Sequence, residues 1–191
     1  MNIQVVPLHA THLSRVSQAL SHPHVLEALG LSELPSTSQI LSGEASTRLG
    51  SVSQVQQVKW WVVELGGGVP TWAAIEYGWR GALDSIRELD LFRLDARPKG
   101  GEDFLWMLWS LVRAVMARRQ SRRIRWQVSK SAEKGRFYRR LGLLELGDFE
   151  LEGDLREVFE LSRKRFEKVE TLLGQGEGRG ALIRAWRTAL N

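Results

Sequence analysis

The sequence predicts an α+β fold: a central mixed, mostly antiparallel sheet flanked by helices, with a helical C-terminal extension. Three observations predict it. First, Val55–Leu65, Thr71–Trp79 and Ile86–Asp95 are rich in β-branched and aromatic residues and are separated only by short turns, the pattern of an antiparallel meander. Second, the stretch from Ile86 to Leu143 reads strand, glycine-bearing turn, apolar helix, strand, short helix. A strand, a helix and a further strand imply a right-handed crossover with parallel pairing. Third, the chain beyond Gly153 turns charged and amphipathic at helical spacing.

The totals bound the chemistry. The chain has 191 residues, 43% hydrophobic and 26% charged, which suits one globular domain with an appendage. It has no cysteine, so disulfides, thiolate metal sites and a cysteine nucleophile are excluded. All four histidines precede residue 25, so a Ser-His-Asp set has no support in the spacing. His22-Pro23-His24 offers either a metal pair or a solvated helix edge, and no metal is expected. No apolar run approaches the ~20 residues of a membrane span. No charged segment followed by an apolar one marks a secretory signal, so a cytoplasmic protein with no membrane partner is expected. Net charge is +5, and between Arg113 and Arg140 Glu133 is the single acid. That basic 113–140 face could meet nucleic acid, an acidic partner or a polyphosphate cofactor, or simply be solvated. No nucleic-acid-binding motif accompanies it.

Ile3–Leu8 reads as a first strand. Thr11 is placed as the N-cap of a helix running to about Leu20. Pro23 opens a further helix that buries Val25, Leu26 and Leu29 and stops at Gly30. Ser32–Gln39 is polar and breaker-rich, hence a loop, and Ile40–Leu49 a short helix ended by Gly50. The meander follows, turning at Gly66-Gly67-Gly68 and near Gly81. Phe104–Met116 is apolar nearly all round, so it is buried on more than one side. Ile124–Val128 is a strand, Ser131–Leu143 carries a helix closed by glycine, and a last strand runs from Leu144 to Leu151. Asp154–Leu173 is placed as an amphipathic helix with Leu155, Val158, Phe159, Phe166, Val169 and Leu173 near one face. Residues 174–180 are a glycine-rich linker, and 181–190 a short amphipathic segment that must dock or fray. The domains are therefore 1–153 and a 154–191 extension. Of the eight tryptophans, Trp60, Trp61, Trp72, Trp79, Trp106, Trp109 and Trp126 fall in strands or the apolar helix and are read mainly as core.

The chemistry lies in the turn Arg97-Pro98-Lys99-Gly100-Gly101-Glu102. A strand that feeds a glycine-bearing turn opening a helix presents bare backbone N–H groups, which suit a pyrophosphate. Gly100 and Gly101 let a ligand approach the backbone, and Arg97 and Lys99 add charge. Glu102 and Asp103 act the other way, because carboxylates at a helix start satisfy the dipole themselves. Further on, Val128 is followed by Ser131, by Phe137-Tyr138 and by Leu141-Gly142-Leu143. With the order of elements from Ile3 to Leu151, these motifs resemble the GNAT superfamily of acyl-CoA-dependent N-acyltransferases. Arg97 and Gly100 match that family's loop; Glu102 stands where a small residue is usual, Ser131 where asparagine is, and Leu143 where phenylalanine is.

The resemblance implies transfer of an acetyl group from acetyl-CoA to an amine, on a small molecule or a protein. It implies a cofactor-binding set of Phe92, Leu94, Arg97, Lys99, Gly100, Gly101, Glu102 and Ser131. The amine must lose a proton before or as it attacks, and the departing thiolate must gain one. Tyr138 stands where the family often places that proton donor; the other reading is a tyrosine packed on the sheet with a wet hydroxyl. Glu88 is the expected base, with Asp90 and Glu76 as further candidates. A carboxylate among apolar strand residues ionises less readily, whereas an outward-facing one is merely solvated. The rival reading is a catalytically inactive member of the fold, an interaction or assembly protein whose segment 181–190 docks into a partner groove.

Overall fold

The computed structural model describes residues 2–29, 31, 33–43, 55–79, 86–94, 101–118, 121–130, 133–151, 153–175 and 180–190. The chain divides into two compact units, Met1–Pro98 and Lys99–Asn191.

The first unit contains β1 (Ile3–Pro7), a 3₁₀ turn (Ala10–His12), α1 (Leu13–Leu20), α2 (Pro23–Leu29), α3 (Thr37–Ser42), β2 (Val55–Leu65), β3 (Val69–Trp79) and β4 (Ile86–Arg93). Its strands pair antiparallel in chain order, with Val5 opposite Val63, Trp60 opposite Ile75 and Ile75 opposite Asp90. Side chains alternate across a strand. Val58, Trp60, Ile75, Tyr77 and Phe92 therefore share one face, and that face packs on Val16, Leu20, Leu29, Leu31 and Ile40 from the N-terminal helices.

The second unit contains α4 (Gly101–Met116), β5 (Arg123–Ser129), α5 (Glu133–Arg140), β6 (Leu144–Leu151), β7 (Asp154–Ser162), α6 (Arg163–Gln175) and α7 (Ala181–Leu190). β7 lies between β5 and β6, antiparallel to both. Leu105, Leu108, Trp109, Leu111, Val112 and Val115 of α4 are buried, as its apolar circumference requires. Trp109 meets Trp186 of α7 with ring centroids 4.7 Å apart, and Phe166 of α6 at 5.1 Å. The carbonyls left over at the end of α4 are satisfied from a distance in sequence: Arg163 Nη2 donates to Met116 O at 2.7 Å and to Arg118 O at 2.9 Å, and its Nε donates to Ser121 O at 3.0 Å.

The fold class is as expected: α+β, mostly antiparallel, with helices against the strands. The described tryptophans are largely core; Trp60, Trp109, Trp126 and Trp186 are all buried. Several boundaries differ. The helix placed over 154–173 begins only at Arg163, and its first part is the strand β7. Leu155, Val158 and Phe159 fit helical spacing, yet Glu157, Phe159 and Leu161 alternate toward one face. Because β7 is flanked by strands and buried on both faces, the in-out alternation that marks a half-exposed strand is blurred. The division at 153 consequently falls in the turn between two paired strands, and the chain beyond it completes a sheet.

Thr11 caps nothing: it lies inside the 3₁₀ turn, whose N-cap is His9. The helix placed at 40–49 starts three residues earlier, at Thr37, and stops at Gly43 in the left-handed region; residues 44–50 lie outside the described residues. Ser36 and Gln39 form its capping box, a Ser-x-x-Gln signal legible in the segment read as loop. Of the 174–180 linker, Gly174 and Gln175 belong to α6, and 176–179 lie outside the described residues. The segment 181–190 docks on its own unit, with Leu182 and Trp186 fully buried, so its apolar face is not left for a partner groove. No described helix is long and apolar enough to cross a membrane.

Candidate active site

In the first unit the candidate bases lie on β3 and β4. Glu88 and Asp90 are two residues apart on β4 and point to one face, opposite Tyr77 and Ile75 of β3. Both are buried, 3% and 5% exposed, so the reading of an outward, solvated carboxylate is corrected. The cause is tertiary: α2 and the other N-terminal helices close over the face they share. Glu76 is also buried but points to the opposite face. It accepts from Trp61 Nε1 at 2.8 Å and lies 3.4 Å from Arg87 Nε. A carboxylate so engaged is a counter-ion to Arg87, and no local pattern marks Arg87 as buried beside it.

Phe92 and Leu94, placed in the cofactor set, lie at the end of β4 and just past it. The Phe92 side chain is buried in the core and meets Trp60 edge-on at 6.3 Å. Leu94 packs against the same core and donates its N–H to Thr71 O at 3.0 Å. Their side chains are therefore core.

In the second unit α4 opens at Gly101, directly after the Arg97–Gly100 turn, and runs for 16 residues. Arg97, Lys99, Gly100 and Ser131 lie outside the described residues, and of Gly101 and Glu102 only the helical backbone is described. A helix of this length carries the full partial charge at its N-terminus. Tyr138 sits on α5 and is 3% exposed. Its ring lies nearly parallel to Trp126 of β5 at 5.7 Å and tilted against Phe159 of β7 at 5.5 Å. It is packed on the sheet, as one reading held, but it is buried rather than wet.

The remaining ionisable groups carry other work. His12 accepts the His9 N–H at its Nδ1 and sits 3.0 Å from Glu64 through Nε2, so both ring nitrogens are used. His22 and His24 are exposed, with stacked rings 5.6 Å apart. Glu145, Asp148 and Glu157 bring carboxylate oxygens within 4.8 Å of one another. Cations already answer them: Lys130 Nζ reaches Asp148 at 2.6 Å, and Arg139 bridges Glu145 and Glu157. The Asp148 hydrogen bond holds the Lys130 ammonium above the ordinary lysine range, with its charge adding to the effect.

No protein-family model matches the chain, and no curated protein sequence matches it. Solved structures do share its fold. The aminoglycoside acetyltransferase AAC(6')-Ib, in complex with ribostamycin and coenzyme A, is 18% identical, with 88% of this chain and 97% of that one covered and a TM-score of 0.66. An uncharacterized protein from Bacillus halodurans is 10% identical, covers 99% of this chain and 92% of its own, and gives 0.65. An aminoglycoside N(6')-acetyltransferase from Legionella pneumophila is 15% identical, covers 88% and 97%, and gives 0.64. The fold is thus the GNAT fold that the motifs around Gly100 and Tyr138 resemble.

Proposed function

We propose that this chain is an N-acetyltransferase that moves an acetyl group from acetyl-CoA to the amine of a small molecule. The observation that carries the reading is the 16-residue helix opening at Gly101, straight after the Arg97-Pro98-Lys99-Gly100 turn. The similar fold of AAC(6')-Ib, solved in complex with coenzyme A and ribostamycin, supports it. Arg97, Lys99 and the backbone at Gly100 and Gly101 would hold the pyrophosphate, with Ser131 farther along the cofactor. Glu88, 3% exposed, takes the proton of the attacking amine. The carbonyl carbon passes through a tetrahedral intermediate whose oxyanion takes a backbone N–H at the end of β4. Collapse expels the thiolate, which the Tyr138 hydroxyl protonates.

The test is calorimetric titration of acetyl-CoA into the full chain. The expected result is a saturable one-to-one isotherm that Arg97→Ala weakens. No heat at millimolar ligand would remove the cofactor and, with it, the transferase.

A further inference from the structure

We infer that the second unit carries a docking surface for the phosphate backbone of a single-stranded nucleic acid, formed where two cationic runs meet at the start of β5 and the start of α6. Residues 117–125 include five arginines and no acid, and residues 163–168 include four cations with Glu167 as the single acid. The runs are distant in sequence, and the fold joins them. β5 begins at Arg123, opposite Ser162 at the end of β7, and the Arg163 N–H donates to Arg122 O at 2.7 Å. The Arg163 side chain is engaged with the carbonyls that end α4, at Met116 and Arg118.

Other cations at this end face water. Arg122, Lys164 and Lys168 are exposed and, among the described residues, belong to no ion pair. The Arg123 side chain is 53% exposed and stands 3.9 Å from Glu160, a buried carboxylate that Arg125 already holds at 2.9 Å. Glu167 lies 3.9 Å from Arg163. This arrangement does not serve the fold. α6 has no acid in its first turn, so Lys164 stands at the positive end of the helix, where a cation is unfavourable. Lys164 and Lys168 are a like-charged pair one turn apart, which is also unfavourable. A polyanion laid across this end turns each repulsion into an attraction. Arginine predominates in the first run, and its planar fork suits phosphate oxygens and stacks on bare bases. Among the described residues, neither run exposes a large apolar side chain that could enter a lipid interface, and charge alone holds a protein there weakly. A single strand supplies both a dense row of phosphates and open base planes; an acidic peptide has no base planes. The surface does not rest on the acetyltransferase reading, because binding is measured without acetyl-CoA.

The experiment follows the anisotropy of a fluorescein-labelled oligothymidylate titrated with the full chain at several salt concentrations. Contacts from Arg122, Arg123, Lys164 and Lys168 predict a slope of log affinity against log salt of about −3, so a fourfold rise in salt weakens binding roughly fiftyfold. Lys164→Gln combined with Lys168→Gln should weaken binding about tenfold and bring the slope to about −1.5. Lys130→Glu removes the same net charge just past the far end of β5 and should leave the slope unchanged. Vesicles of phosphatidylcholine with a quarter phosphatidylserine, and polyglutamate, are titrated alongside and should bind more weakly than the oligonucleotide. No binding of the oligonucleotide at low salt, a slope near zero, an equal loss from Lys130→Glu, or tighter binding of the vesicles or of polyglutamate would each overturn the inference.

Discussion

Arg87 and Glu76 form an ion pair inside the first unit, Nε to Oε1 at 3.4 Å, with side chains only 4% and 2% exposed. Trp61 occupies the second carboxylate oxygen from β2, so three strands meet at one buried charge. Removing one member of such a pair strands the other without water. Glu76→Ala is expected to cost about 3–5 kcal/mol. Glu76→Gln, which keeps an acceptor for Trp61, should cost less. Urea unfolding monitored by tryptophan fluorescence gives both numbers, and a Glu76→Ala variant as stable as the parent would show the pair to be incidental.

α7 is a structural helix of the second unit rather than a tether. Trp186 is fully buried against Trp109, so Trp186→Ala should lose about 3–5 kcal/mol. Deleting 176–191 uncovers the same face of α4 and should produce a chain that binds hydrophobic dyes and has a flattened near-ultraviolet circular dichroism spectrum. A truncated chain with an unchanged melting temperature would return the segment to the role of a free partner-docking tail.

The Lys130–Asp148 bond sets a pH dependence with a definite sign. Lys130 is raised in the folded state, first through the Asp148 hydrogen bond and then through its charge. The folded chain therefore holds this proton more tightly than the unfolded chain does. The contribution is complete below the ordinary lysine pKa and is lost as pH rises through the higher folded value. Asp148→Asn should leave the melting temperature less dependent on pH in that alkaline window. The effect is small because the pair is exposed to solvent. Identical alkaline profiles for parent and variant would show that the bond does not persist in solution.

Within the proposed transferase, Tyr138→Phe keeps the ring against Trp126 and Phe159 and removes the hydroxyl alone. Loss of a general acid typically lowers turnover by about 10²-fold or more. The expected outcome is a fall in kcat with stability and acetyl-CoA affinity near those of the parent. Unchanged kcat would leave Tyr138 as a packing residue only.

Much of the scaffold is local and therefore legible. Val55–Leu65 is a strand because its β-branched and aromatic residues suit a pleated surface, and Gly66-Gly67-Gly68 adopts the positive φ values its turn needs. The helix after Gly100 follows from its apolar circumference, and the resemblance to acyltransferases followed from short motifs at fixed order. The rest depended on neighbours. Arg156, Glu160 and Glu157 look like the polar side of a helix, yet on β7 they are buried and answered by Asp154, Arg125 and Arg139. Glu88 reads as solvated until the N-terminal helices are laid over it.

The amino-acid sequence by itself determined which segments could be strands or helices, where glycine had to stop them, and which turn could face a phosphate. Only the tertiary structure decided which charges are buried, that α7 belongs to its own unit, and that two cationic runs distant in sequence meet where β5 and α6 begin. The reason is physical: propensity and periodicity are carried by consecutive residues, whereas burial is set by whatever distant segment comes to cover them.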